Sequence, residues 1–277
     1  MKRKISLWNG LVILFGIFFV SFYIFPIYWN ILTSIRPPGE VVTIPAQLIP
    51  KGIFLKRYLT IFTETHFSQN IRNSLIISSI STALCLSIST FGAYAISRIR
   101  IRGHKIILML VLVLSMLPAV SIISPLYLVF KAGGLINTHL SLIITYTAFW
   151  VPFSIWFLTN FFKTIPTALE DAAVIDGCSP LQALTKVIIP LAAPAIFTVT
   201  ILIFIFSWGE FLFALTFTTT HKVITAPVAI FLFQGKYVIP WADMATASTI
   251  VSLPVVLVVI ICQKYIVEGL TSGAVKG

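Results

Sequence analysis

From residue 5 to residue 35 the chain carries no lysine, arginine, aspartate or glutamate, and five more such stretches follow, at 73–97, 106–130, 132–162, 187–209 and 244–263. Each reaches the roughly 20 residues a helix needs to cross about 30 Å of hydrocarbon. Backbone at that depth finds no water to bond, and the stretches are too long for barrel strands, so helices are expected. The mean hydropathy of +1.02 and a charged fraction of 10% agree, since soluble domains carry roughly a quarter charged residues. The predicted spans are 9–33, 73–97, 106–130, 139–162, 194–218 and 244–263. The expected fold is all-α: a polytopic membrane bundle of six transmembrane helices, forming a single domain over residues 1–277.

A net charge of +11 suggests nucleic acid until the placement of the charges is considered. Lys2, Arg3 and Lys4 precede the first span, and Arg98, Arg100, Arg102 and Lys105 crowd the gap between spans two and three. Basic residues gather in cytoplasmic loops, so this pattern orients the chain with both termini in the cytoplasm. The partner implied by the charge is then the lipid bilayer and not a nucleic acid. The first span has no small-residue cleavage site after it and is expected to remain as a helix. Cys85, Cys178 and Cys262 form no CxxC pair, which argues against a disulfide framework and against a metal site.

Connections are short except for two outer loops, 34–72 and 219–243, and one inner loop, 163–193. The first outer loop, with Tyr58, Phe62 and Phe67 among its turn formers, is expected to pack on the membrane surface. His104 and His139 fall in loops and read as solvated. The inner loop holds "LEDAAVIDGCSP", in which Glu170, Asp171 and Asp176, three of only eight acidic residues, fall within seven positions. Thr167 followed by Glu170 is a capping-box pattern and predicts a helix over 168–176, with Gly177 as its left-handed terminator. Ser179, Pro180 and Gln182 repeat the start signal for a second helix that runs to Pro190. Ala172 and Ala173 permit close approach, Leu169, Val174 and Ile175 offer apolar contact, and carboxylates surround them. Interfacial helices usually carry lysine and arginine, so this acidic helix reads as a knob that docks on a cytoplasmic protein.

These residues resemble a known family. "EDAAVIDG", followed by "IIPLAAP", is similar to the EAA loop of binding-protein-dependent ABC importer permeases, with Glu170, Ala172, Ala173 and Gly177 at its core positions. The tail "QKYIVEGLTSGAVKG" resembles that of the MalG-type, carbohydrate-importing branch. "NSLIISS", "AYAISRIRIRG", "GLINTHLSLI" and "SWGEFLFAL" extend the likeness over nearly the whole chain, with Gly209 where asparagine is usual. The resemblance implies a multi-pass protein of the cytoplasmic membrane that forms half of a sugar pathway. Its implied partners are a cytoplasmic ABC ATPase dimer, a second and related permease, and an extracytoplasmic solute-binding protein. Glu170, Asp171, Ala172, Ala173, Asp176 and Gly177 would couple it to the ATPase, and Gln263, Gly269, Gly273 and Lys276 of the tail would touch the ATPase too. ATP would be used by the partner alone, with no cofactor on this chain.

The residues exclude other classes. No GxxxxGK[ST] loop occurs to cradle phosphates, and no HExxH or GxSxG suggests a catalytic centre. The chain is expected not to be an enzyme. Glu210 is the one acid well inside a predicted span, where a charge costs about 2.5–3.5 kcal/mol on insertion scales. With Trp208 it is a candidate for the substrate path or a subunit interface, or else a structural pair. Pro118, Pro125, Pro152 and Pro254 read as kinks that neighbouring helices accommodate. A permease for a non-sugar solute and a self-sufficient secondary transporter are the competing readings. The latter usually needs more spans or buried charged relays.

Overall fold

A computed structural model describes residues 7–45, 47–99, 103–233 and 239–271. The helices are α1 (Leu7–Ile35), α2 (Lys56–Glu64), α3 (Phe67–Arg98), α4 (His104–Ser115), α5 (Ala119–Ala132), α6 (His139–Phe162) and α7 (Thr167–Ile175). After them come α8 (Pro180–Ala183), a π-helical turn at Leu184–Ile188, α9 (Ile189–Leu191), α10 (Ala193–Gly209), α11 (Leu212–Phe217), α12 (Ala226–Leu232) and α13 (Trp241–Thr271). Among the described residues four helices are long and apolar enough to cross a membrane: α1, α3, α6 and α13. The count reaches six only if two bent pairs are each one span. In the first pair, α4 and α5 meet at 91°, within the stretch 106–130 expected as one span with kinks at its prolines. Pro118, extended at φ −67° and ψ 129°, stands at this break and cannot continue the helix above it. In the second, the segment Pro180–Leu191 meets α10 at 80° across Ala192, just before Pro194. The fifth helix of the expectation is also cut short, because α10 ends at Gly209 and a separate α11 follows within 194–218. Pro125, Pro152 and Pro254, in contrast, lie inside continuous helices.

The chain divides into two compact units, residues 1–67 with 229–253, and residues 68–228 with 254–277. In the first unit Arg57 of α2 does the joining. Its Nη1 donates to the carbonyls of Ser34 (3.0 Å) and Arg36 (3.1 Å) at the end of α1, and its Nε lies 2.9 Å from Asp243 in the first turn of α13. A cation at a helix C-terminus and an anion at an N-terminus both suit the helix dipoles. Asn30 donates to Thr249 Oγ1 at 3.1 Å and Thr246 Oγ1 to the Ser34 carbonyl at 3.2 Å. Tyr58 bonds Ser34 at 2.7 Å and Phe62 packs on Phe67. These contacts pack the outer loop against α1 and α13 within the protein, and its helix α2 was not foreseen.

The second unit is built on α3, α6 and α10, whose buried residues include Cys85, Ala93, Leu158, Phe162, Val199 and Ile203. Small residues let such helices approach closely where apolar transfer gives no driving force. Gly92 marks one close approach, since a Cβ there would sit 3.1 Å from Ile155 Cδ1. Polar side chains supply the rest. Asn70 and Asn73 each donate to the Ile224 carbonyl at 3.0 Å, and Ser74 Oγ accepts the Ala226 amide at 2.8 Å. His139, expected in solvent, instead has Nε2 3.1 Å from Asn73 Oδ1. Asn137, at φ 62°, accepts the amides of Thr219 (3.0 Å) and Thr220 (3.1 Å) and pins the start of the second outer loop.

Candidate functional site

The α7–α8 segment has two differently built ends. At the close of α7 the Gly177 amide donates to the Val174 carbonyl (3.0 Å) and the Cys178 amide to that of Ala173 (2.9 Å). This is the Schellman pair, and it requires Gly177 at φ +87°, as the sequence predicted. The start of α8 is equally faithful: Ser179 Oγ accepts the Gln182 amide at 3.3 Å while Gln182 Oε1 accepts the Ser179 amide at 2.9 Å. The second helix ends at Leu191, one residue past Pro190, after its π-helical turn.

The start of α7 departs from expectation. Pro166 precedes it without a side-chain cap, and Thr167 is already helical. Glu170 does not reach back to close a box. Its Oε1 accepts the Tyr94 hydroxyl, and its Oε2 lies 3.2 Å from Arg98 Nε. Both partners belong to the last turns of α3. The Arg98 and Glu170 side chains are only 7% and 15% exposed. Arg98 Nη2 also donates to the carbonyls of Phe162 (2.9 Å) and Ile165 (2.7 Å) where α6 ends. One guanidinium therefore holds α3, the end of α6 and α7 together. Glu170, expected on the docking face, is an internal tether because a buried arginine at a helix end demands a carboxylate more strongly than a frayed helix start demands a cap.

The outward side of α7 keeps the character predicted for it. Asp171, Ala172 and Asp176 are exposed, as are Leu169, Val174 and Ile175, the last at 85%. Ala173 is half-buried beside Glu170 on the inner side. In the tail, Gln263 is exposed on α13. Helix α13 passes through Gly269 to Thr271, where an irregular backbone was expected. Gly273 and Lys276 lie outside the described residues.

The pair placed in the fifth span behaves as framework. Trp208 is 3% exposed and stacks on Phe204 at 5.8 Å, so no ring face is free for a sugar. Glu210 is extended and ends α10. Its Oε1 accepts the Phe213 amide (2.8 Å), and its Oε2 accepts the Ala214 amide (3.1 Å) and the Tyr146 hydroxyl (2.6 Å). Three donors offset the cost of a carboxylate inside a span. In this position it clamps the broken helix to α6, the structural arrangement that was the alternative to a path or interface residue. Among the described residues no group of three or more His, Cys, Asp or Glu side chains is placed to hold a metal ion.

The profile of the binding-protein-dependent transport system inner membrane component family matches residues 88–272, which take in the last third of α3, the α7–α8 segment and α13. The chain belongs to that family. Over 270 residues this family member is 40% identical to the trehalose/maltose transport system permease protein MalG of Thermococcus litoralis, with 96% of each chain covered. It is 38% identical over 260 residues to the trehalose transport system permease protein SugB of Mycobacterium tuberculosis, covering 93% of this chain and 94% of that one. The sulfoquinovosyl glycerol transport system permease protein SmoH of Agrobacterium fabrum is 37% identical over 254 residues, with 92% and 89% covered. In structure the family member matches a chain of a bacterial ABC transporter that imports the acidic polysaccharide alginate. The TM-score is 0.81, with 96% of this chain and 98% of that chain covered at 24% identity, a likeness of fold. With its long apolar helices the protein is a multi-pass membrane permease of an import system.

Proposed function

We propose that the chain forms half of the translocation pathway of an ATP-driven carbohydrate importer in the cytoplasmic membrane, with α7 as the element that couples it to a separate ATPase subunit. The observation that carries the coupling role is the two-sided α7: apolar and acidic outward, and tethered inward through Glu170. The sugar class is supported by the transport systems named for the relatives, which include trehalose, maltose and sulfoquinovosyl glycerol. A solute-binding protein on the outer face and a second permease complete the complex. A matching structure of an alginate transporter, with a TM-score of 0.65, was solved with its periplasmic protein bound. ATP binds and is hydrolysed on the ATPase, and this chain binds no cofactor.

In this reading the ATPase dimer grips Leu169, Asp171, Val174, Ile175 and Asp176 and carries α7 with it as it closes. The displacement reaches α3 through Glu170, Tyr94 and Arg98, and the end of α6 through the two carbonyls that Arg98 holds. Tail residues Gln263, Gly269, Gly273 and Lys276 add a second contact to the same partner.

The test is affinity purification of the tagged chain in mild detergent, comparing wild type with the outward double variant Asp171→Arg, Ile175→Asp. An ATPase and a second permease are expected with wild type. The variant should keep the permease and lose the ATPase. ATPase retained at wild-type level by the variant would show that α7 is not the docking element.

A further inference from the structure

Arg36 heads the fully buried side chains of the described residues by volume, at 2% exposure. Its Nη1 donates to the Glu40 carbonyl at 3.2 Å, its Nη2 donates to the Gln47 carbonyl, and the guanidinium lies 4.8 Å from the centre of the Trp29 ring. The Nε–H has no acceptor. Among the described residues no carboxylate stands within ion-pair distance of Arg36, whereas Arg57 in the same unit has Asp243 at 2.9 Å. Thr43 Oγ1 is a second buried polar atom without a partner. Arg36 and Thr43 line one cavity of about 740 Å³, together with Trp29, Trp241, Phe25 and Pro26.

Buried donors are nearly always paired, and a buried guanidinium without a counter-charge is costlier still. Neither orphan atom is open to water, so solvent does not meet the need. The group that would satisfy them is an acceptor that bears negative charge. Its depth follows from α1, whose 29 residues extend about 44 Å at the usual helical rise, beyond the roughly 30 Å of hydrocarbon. Trp29 near the end of α1 and Trp241 at the start of α13 form the kind of aromatic belt that sits among headgroups. We propose that this cavity binds the phosphodiester of a membrane phospholipid, with the oxyanion at Arg36 and Thr43 and the apolar body against Phe25 and Pro26. Nothing in the proposal depends on the coupling role of α7.

The experiment uses the full chain in detergent, with whatever subunits copurify, and follows its thermal unfolding midpoint against three probes. These are dihexanoyl phosphatidylglycerol, dihexanoylglycerol, which lacks the phosphate, and inorganic phosphate. The phosphatidylglycerol is expected to raise the midpoint and dihexanoylglycerol to leave it unchanged. Thr43→Val keeps every bond that Arg36 makes, and it should raise the half-saturating lipid concentration about tenfold, the usual effect of losing one charge-assisted hydrogen bond. Arg36→Met should abolish the shift. An equal response to dihexanoylglycerol, or a wild-type response from Thr43→Val, overturns the site. An equal shift from inorganic phosphate overturns the lipid as its occupant.

Discussion

Arg98 serves two ends that usually fall to different residues. It belongs to the basic cluster from which a cytoplasmic placement is expected, and its head group is turned inward, onto Glu170 and onto two carbonyls at the end of α6. Removing one member of a buried pair leaves the other uncompensated, at about 3–5 kcal/mol. Arg98→Met is therefore expected to lower the unfolding midpoint, read by thermal denaturation in detergent. Glu170→Gln keeps the shape and should lower it less. In reconstituted complexes Arg98→Met should retain the bound ATPase, while sugar uptake per ATP hydrolysed falls. Glu170→Arg paired with Arg98→Glu restores opposite charges and should recover part of that ratio; no recovery would mean that the pair only supports the fold. The sequence misled at Glu170 because a threonine three residues ahead of a glutamate is written alike whether the carboxylate caps its own helix or crosses to another. The clue available was Arg98 itself, a cation at the end of a long apolar run in a chain with few acids. For Trp208 and Glu210 the residue types left a path and a structural pair equally open, and only packing reveals their contacts with Phe204, Tyr146 and two amides.

At the scale of elements, the turns were the most legible parts. Gly177 and the Ser179–Gln182 box follow from local backbone chemistry, which does not wait for tertiary contacts. Gly177 has open space where a Cβ would stand, so the cost of Gly177→Ala is purely conformational, about 1–2 kcal/mol. Ser179→Ala removes one cap and should cost about 1 kcal/mol. Both are measurable as losses of protection of the 167–183 segment against protease in the purified protein. Gly92 presents the opposite case, since any side chain must displace Ile155. Gly92→Val should therefore reduce the yield of folded protein in membranes, and a companion Ile155→Ala should restore it. Charge-free runs revealed where long helices lie, but not where they break. The 91° and 80° bends arise where a proline meets a site that the neighbours do not straighten, and Pro125 and Pro152 show that proline alone does not decide it. Helices α2, α11 and α12 are six to nine residues long and leave little periodic signal.

For the whole molecule, the number of crossings turns on the two bent pairs, and sidedness tests it directly. In a background where Cys85, Cys178 and Cys262 are replaced, Ile175→Cys and Lys51→Cys should lie on opposite faces. A membrane-impermeant maleimide added to intact cells is expected to label Lys51→Cys alone, and inverted vesicles should reverse the result. Labelling of both from one side would remove a crossing and, with it, the cytoplasmic placement of α7. The most apolar stretch of α1 has none of its residues buried within the protein. Its surface is left to lipid or to another subunit.

The uneven fastening of α7 turns it into a timer for the docking proposed above. Its C-terminal end is locked by Gly177 and the helix beyond it is boxed at Ser179, yet its first turn has no side-chain cap and relies on Glu170. Backbone amides in that turn should exchange with deuterium early in the isolated permease, while those just past Gly177 lag behind. When a partner covers the outward face, the early amides should slow and the late ones scarcely change. A brief deuterium pulse would then report, from a single peptide, what fraction of the permeases in a membrane is engaged with its motor at that moment.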